Sequence, residues 1–276
     1  MKKAFKWIGL IVLILLGIGG FVYFKYLSPF LSKMNHSEVI QLDPNITVVT
    51  GGGGNSGIIV SDSLVVVIDT KMDESSNLLY ENVKELAGKR PILVINTHWH
   101  PDHVGGNKLY KGATILAGDY GKEAWIKEAG EESLPTTWLK GSRTIPMGDD
   151  TLSVFAFPKT IHSPADVMVY LRRHKVLFAG DVILNKQAPV LFGGADAYVA
   201  IMEELSKNLE IKTIVPGHGH IGGSELIPKF EQFFSDMKVA AEDPSKEDEL
   251  VAKYDDWNQL PFFMSPGATV RYYRKK

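Results

Sequence analysis

Thr97-His98-Trp99-His100-Pro101-Asp102-His103-Val104-Gly105-Gly106 is the stretch on which the reading of this chain turns. Three imidazoles and one carboxylate fall between positions 98 and 103, directly after the apolar run 92–96, which reads as a buried strand. Histidines two apart in an extended loop can face one metal ion, while a carboxylate and a histidine just beyond them can turn toward a second. Composition does not produce this string. With 8 histidines in 276 residues, H-x-H-x-D-H is expected by chance in roughly 4 of 10,000 such chains.

One loop offers too few ligands for two ions, and the rest of the chain supplies more at the ends of predicted strands. His162 lies in a loop before the run 167–171, Asp181 follows the run 176–179 through Gly180, and His218 sits in Pro216-Gly217-His218-Gly219 after the run 213–215. With the first loop they make a set of histidines and aspartates at strand ends, where α/β folds collect function.

Around these positions, strands are expected at 46–50, 57–60, 64–69, 92–96, 113–117, 151–157, 167–171, 176–179 and 213–215. Helices are expected at 75–88, 119–129, 196–209, 224–241 and 246–257. Strands feeding helices twice over point to helix-covered sheets and the α/β class, with the strand order left open. No Pro- or Ser-rich linker or internal repeat interrupts residues 42–276, which read as one catalytic domain including the C-terminal helices.

The chain has no cysteine, which excludes disulfides, a thiolate nucleophile, zinc ribbons and iron–sulfur clusters. Its chemistry must use oxygen and nitrogen. The formal charge of -2 joins two unlike parts: the first 34 residues hold Lys2, Lys3, Lys6, Lys25 and Lys33 and no acid, leaving 25 basic against 32 acidic residues in the body. An acidic body argues against nucleic acid as a partner. The basic leader encloses an uncharged run, 7–24, long enough at about 1.5 Å per residue to nearly span a bilayer core. It reads as an N-terminal membrane anchor within 1–27, followed by a tether at 28–41, and Trp7 and Tyr23 to Tyr26 suit interfacial belts. More lysines precede the span than follow it, which favours an inside N-terminus and an extracytoplasmic catalytic domain.

At this point the sequence resembles the metallo-β-lactamase-fold hydrolases. The resemblance rests on Thr97 to Gly106, His162-Ser163-Pro164, Phe178-Ala179-Gly180-Asp181, Pro216-Gly217-His218-Gly219 and the upstream Ile68-Asp69-Thr70. It implies a four-layer αβ/βα sandwich with the metal site at one edge of two sheets. It further implies that His98, His100 and His162 bind one zinc, that Asp102, His103 and His218 bind a second, and that Asp181 bridges both. Asp69 is implied as the carboxylate that orients a liganding imidazole through its other nitrogen. Two such ions, exchangeable with iron or manganese in a thiolate-free site, supply hydroxide at neutral pH for attack on an ester, thioester, lactam or phosphoester. Asp102 is placed to take the nucleophile's proton. The lactamase subclass that holds zinc with cysteine is excluded by composition. Three other readings stay open: a mononuclear iron oxidoreductase of the persulfide-dioxygenase type, which shares the fold, a β-lactamase proper, and a binding module that retained the fold without activity.

Three further features are candidates beside the site. Gly51 to Gly54 with Asn55-Ser56-Gly57 reads as a hairpin loop, which in the family can act as a mobile flap, so that Asn55 becomes a substrate contact. Lys186, five residues after Asp181, is a candidate anchor for a substrate carboxylate or phosphate. Trp138 sits in a Pro- and Gly-bounded loop that would wall a pocket.

Overall fold

A computed structural model describes residues 12, 14–28, 36–157, 159–190, 193–258 and 263–275. Two sheets carry the architecture. The first has seven strands in sequence order: β1 (Ser37–Asp43), β2 (Ile46–Gly51), β3 (Ser56–Val60), β4 (Val65–Ile68), β5 (Ile92–Ile95), β6 (Thr114–Gly118) and β7 (Thr137–Leu139). β1 to β4 form an antiparallel meander, and β4 to β7 run parallel. The second sheet has five, ordered β12-β11-β10-β9-β8, from β8 (Arg143–Met147), β9 (Asp150–Ala156), β10 (Val167–Leu171), β11 (Val176–Gly180) and β12 (Thr213–Pro216). Only β11 and β12 pair in parallel there.

The strands that are buried on both faces are continuous apolar runs, as such strands should be: β4 is Val-Val-Val-Ile and β10 is Val-Met-Val-Tyr-Leu, buried throughout. Alternate residues feed different cores. Ile46, Val48, Val66, Ile68 and Ile95 from the first sheet meet Val154, Val167, Val169, Phe178 and Val215 from the second, forming the central layer contact. Val65, Val67 and Val94 face the other way onto Leu79, Val83 and Ala87 of helix α1 (Asp73–Ala87). That helix has acids in its first turn and Gly88 at its end, both consistent with its dipole and its stop. Behind the second sheet, Met168, Tyr170 and Leu177 pack under α4 (Ala195–Asn208) and α5 (Leu226–Glu242). Each large side chain so buried stabilises the fold by about 1.5–3 kcal/mol relative to exposure. The result is the expected helix, sheet, sheet, helix layering. Two short helices, α2 (Pro101–Val104) and α3 (Lys122–Ala129), follow β5 and β6, and α6 (Glu247–Lys253) and α7 (Pro266–Tyr273) complete the C-terminal cap.

Several expectations change. β1 pairs with β2 over Ser37 to Asp43, so part of the segment read as a tether is a sheet strand. Trp138 belongs to β7 and not to a loop, half-buried with its ring edge-to-face against Trp125 at 5.6 Å. Of the predicted membrane span 7–24, residues 7–11 and 13 lie outside the described residues, as do the flanking Lys2, Lys3, Lys6 and Lys33. Residues 14–28 are helical and end in a π-helical turn, Tyr23–Leu27, with exposed apolar side chains such as Leu15 and Leu16. Among the described residues no helix is long and apolar enough to cross a membrane.

Candidate metal centre

The polar side chains singled out in the sequence converge on the edge where β5, β11 and β12 end. β5 delivers His98 and His100, and Pro101 then opens α2, where a proline costs no hydrogen bond because first-turn amides have no intrahelical partner. The single turn of α2 places Asp102 and His103 side by side. His162 enters from the loop before β10, while Asp181 and His218 follow β11 and β12 directly. These two strands end in close contact: a Cβ on Gly217 would lie 1.9 Å from Asp181 Oδ1, so position 217 accepts only glycine.

Two groups of ligand atoms result, His98, His100, His162 and Asp181 in one and Asp102, His103 and His218 in the other, each within 4.8 Å of one another. His100 Nδ1 lies 3.0 Å from both His98 Nε2 and His162 Nε2. Asp181 stands between the groups. Its Oδ2 is 3.4 Å from His162 Nε2 on one side and 3.4 Å from His218 Nε2 on the other, and its Oδ1 is 3.2 Å from His103 Nε2. Asp102 Oδ2 is 3.1 Å from His218 Nε2 and is the more exposed of these carboxylates.

Asp69 fixes which nitrogens face the site. Its Oδ2 lies 2.7 Å from His103 Nδ1 and also accepts the Thr97 hydroxyl at 2.7 Å, while its Oδ1 accepts the Thr97 amide. A carboxylate has only acceptor sites, so the proton sits on His103 Nδ1. Thr97 Oγ1, having donated to Asp69, accepts from His98 Nδ1 at 3.1 Å. Both Nε2 lone pairs therefore turn inward, and the orienting role expected of Asp69 extends to two imidazoles. His162 is held from behind: its amide donates to Asp166, and its Nδ1 lies 3.4 Å from the Tyr198 hydroxyl.

The electrostatics divide the groups. Burial lowers His98 and His100 and takes His162 down to about 4, so the first group consists of neutral imidazoles whose lone pairs converge. Burial would also lower His103 and His218, but Asp102, Asp181 and Asp69 hold His103 well above the usual range, and Asp181 with Asp102 takes His218 to about 9. Carboxylates that draw protons onto buried imidazoles also draw divalent cations in their place, with release of those protons. Asp181 Oδ1 is buried without a hydrogen bond of good geometry. Converging imidazole nitrogens, a carboxylate between the two groups and an all-nitrogen-and-oxygen donor set fit two divalent cations.

The substrate candidates fare differently. Asn55 is 5% exposed. Its amide donates to the carbonyls of Pro216 and Gly219, and its Oδ1 accepts the Gly51 amide, so its side chain ties the glycine hairpin to the His218 loop. Lys186 is paired with Asp256 at 2.8 Å, both side chains half-exposed, so its charge is answered by the C-terminal region. The sequence reading passed over Lys71, Thr97, Asp166 and Tyr198. Asp166, buried and pushed up to about 7 by that burial, accepts from the His162 and Ser163 amides and from the Ser163 hydroxyl. Its position four residues after His162 was the available signal.

Comparison with known proteins follows the same lines. The sequence model of the Metallo-beta-lactamase superfamily matches residues 49–218, more than half of the chain, a span that includes all seven candidate ligand positions. A metallo-beta-lactamase type 2 of Bacillus cereus is 29% identical over 204 residues, which is 69% of this chain and 79% of that protein. The acyl-coenzyme A thioesterase MBLAC2 of Gallus gallus is 27% identical over 172 residues, 51% of this chain and 61% of that protein. Among solved structures, a metallo-beta-lactamase from Pontibacter korlensis aligns with a TM-score of 0.64 at 22% identity, over 73% of this chain and the whole of that one, and so shares the fold.

Proposed function

The chain belongs to the metallo-beta-lactamase superfamily, and from that membership and the geometry of the site we propose that it is a dinuclear zinc hydrolase acting on a small acyl compound, a lactam or a thioester. The observation that carries the reading is the position of Asp181, whose Oδ2 stands at the same 3.4 Å from an imidazole nitrogen of each ligand group. His98, His100 and His162 would hold one ion and Asp102, His103 and His218 the other, with Asp181 near enough to both groups to serve each. Bound there, the two ions supply Lewis acidity at the substrate's carbonyl oxygen and lower the pKa of a coordinated water toward about 7.

The chain's own groups do the rest. Asp102 Oδ2, on the open side of the site, accepts the proton of the attacking water and passes it to the leaving nitrogen or sulfur. Asp102 is the less buried of the two carboxylates that meet His218, with its side chain 22% exposed against 5% for Asp181, so a substrate's leaving group can reach it. Asp69, through His103 directly and through Thr97 to His98, keeps the imidazoles from rotating out of register. The acyl class is supported by the names of the similar proteins, one a lactamase and one a thioesterase. The uncharged run 7–24 between lysines supports a single-pass anchor with the body outside the cytoplasm, where envelope or extracellular acyl compounds are met.

Zinc-loaded full-length protein assayed against β-lactams, acyl thioesters, lactones and phosphodiesters tests the reading. Hydrolysis of a lactam or a thioester, with phosphodiesters untouched, is expected. Activity confined to phosphodiesters would overturn the acyl assignment, and a metal-loaded protein that hydrolysed nothing in the panel would point to a binding module.

A further inference from the structure

Lys71 is a lysine with no exposed surface, in the left-handed backbone region at φ 59. Its ammonium donates at 2.6 Å to two carbonyl oxygens, those of Gly51 and Gly54, at either end of the glycine turn. Burying an ammonium is costly, and burial takes this one down to about 7. Two neighbours of Lys71, Asp69 and Asp73, are also left-handed without being glycine. A costly side chain in a constrained segment calls for a structural reason.

The reason lies in what the glycine turn touches. The Gly54 amide donates to the Asp102 carbonyl at 3.2 Å, and a Cβ on Gly54 would lie 2.3 Å from His103 Cε1, so the turn rests directly against the first two members of the second ligand group. One residue later, the Asn55 amide donates to the Gly217 carbonyl at 2.7 Å, and its side chain holds the Pro216 and Gly219 carbonyls, which bracket His218. The turn thus spans the gap between α2, which carries Asp102 and His103, and the loop that carries His218. Lys71 joins it to a third element: the Lys71 carbonyl accepts the Gly106 amide, and the Thr70 amide donates to the His103 carbonyl. In the first ligand group, His98 and His162 are held by other residues, Thr97 and Asp166.

We infer that Lys71 is a positioning residue for the second metal, whose buried ammonium locks the Gly51–Asn55 turn as a rigid clasp that sets the spacing of Asp102 and His103 against His218. The turn is consequently fixed and not a mobile flap. This role rests on the two-metal reading, and a cobalt titration separates the two.

Metal-free full-length protein is titrated with cobalt(II), and the d–d absorption bands report each site. Wild type should bind two ions. Lys71→Met, close in length but without donors, should bind the first with affinity unchanged within about twofold and the second about 10- to 100-fold more weakly, the range seen when groups that orient ligands are lost. A general loss of structure would weaken both ions alike, and that result, or two ions bound as in wild type, would overturn the inference. A wild type that bound a single cobalt would overturn the two-metal reading and this role with it. If Lys71→Met does not fold, hydrogen exchange on wild type decides: the hydrogen-bonded amides of Gly51, Gly54 and Asn55 should exchange slowly without metal, and exchange at the rate of a free loop would overturn the clasp.

Discussion

Asp181→Asn should reduce hydrolysis and metal affinity together, by about two to three and a half orders of magnitude. The size of the effect follows from the charge removed. Asp181 is 5% exposed and lies among the imidazoles of both groups, its Oδ2 3.4 Å from a nitrogen of each and its Oδ1 3.2 Å from His103 Nε2. Removing one partner of a buried charge interaction costs about 3–5 kcal/mol, and each 1.4 kcal/mol is about a factor of ten. Asparagine keeps the shape and one acceptor oxygen, so the change isolates charge from packing. Metal content after dialysis and the rate on the best substrate, measured on one preparation, check it. Retention of both ions and of activity in Asp181→Asn would show that the two groups do not share this carboxylate.

Asp102→Asn should behave differently, losing about 10²- to 10⁴-fold in kcat, the range for a lost general base, while at least the first ion stays in place. Asp102, at 22% against 5% exposure for Asp181, is the less buried acid of the set and falls in the second group. An amide oxygen can still ligate, but it cannot accept a proton at neutral pH. The distinguishing result is a fall in kcat larger than any loss of metal accounts for, seen at saturating zinc. Full zinc content with full activity would remove Asp102 from the proton path.

The contrast between these two residues shows why so much of the site was legible in the sequence. A parallel strand such as β5 ends in a loop that must turn into a helix, so the residues that line the sheet edge fall consecutively in the chain, and His98 to His103 could be read as a unit. Asp181 and His218 were readable for a related reason, since each follows directly on a short apolar strand. What was not legible depends on pairing across long sequence distances. Asn55 looked like a ligand contact because an amide in a glycine loop is chemically suited to one, yet its partners are carbonyls more than 160 residues away. Lys71 drew no notice because lysine is ordinarily a surface residue, and only the folded turn shows why its charge is inside.

The missed strands have local causes. β1 has half-exposed and polar positions, Ser-Glu-Val-Ile-Gln-Leu-Asp, and gains its order from the ladder with β2. β8 contains Pro146, which suits an edge position and weakens the strand signal. β7 has three residues, too few for a periodicity to register. The layers themselves followed from the alternation of strands and helices, whereas the meander of β1 to β4 followed from hairpins that composition does not order.

As proposed above, these seven residues would hold two zinc ions and make the chain a hydrolase. Elemental analysis of the full-length protein purified without added metal or chelator tests it most directly. Two zinc ions per chain, one for each ligand group, are expected. A single oxygen-sensitive iron per chain would contradict it and place the protein with the oxidoreductases of the same fold.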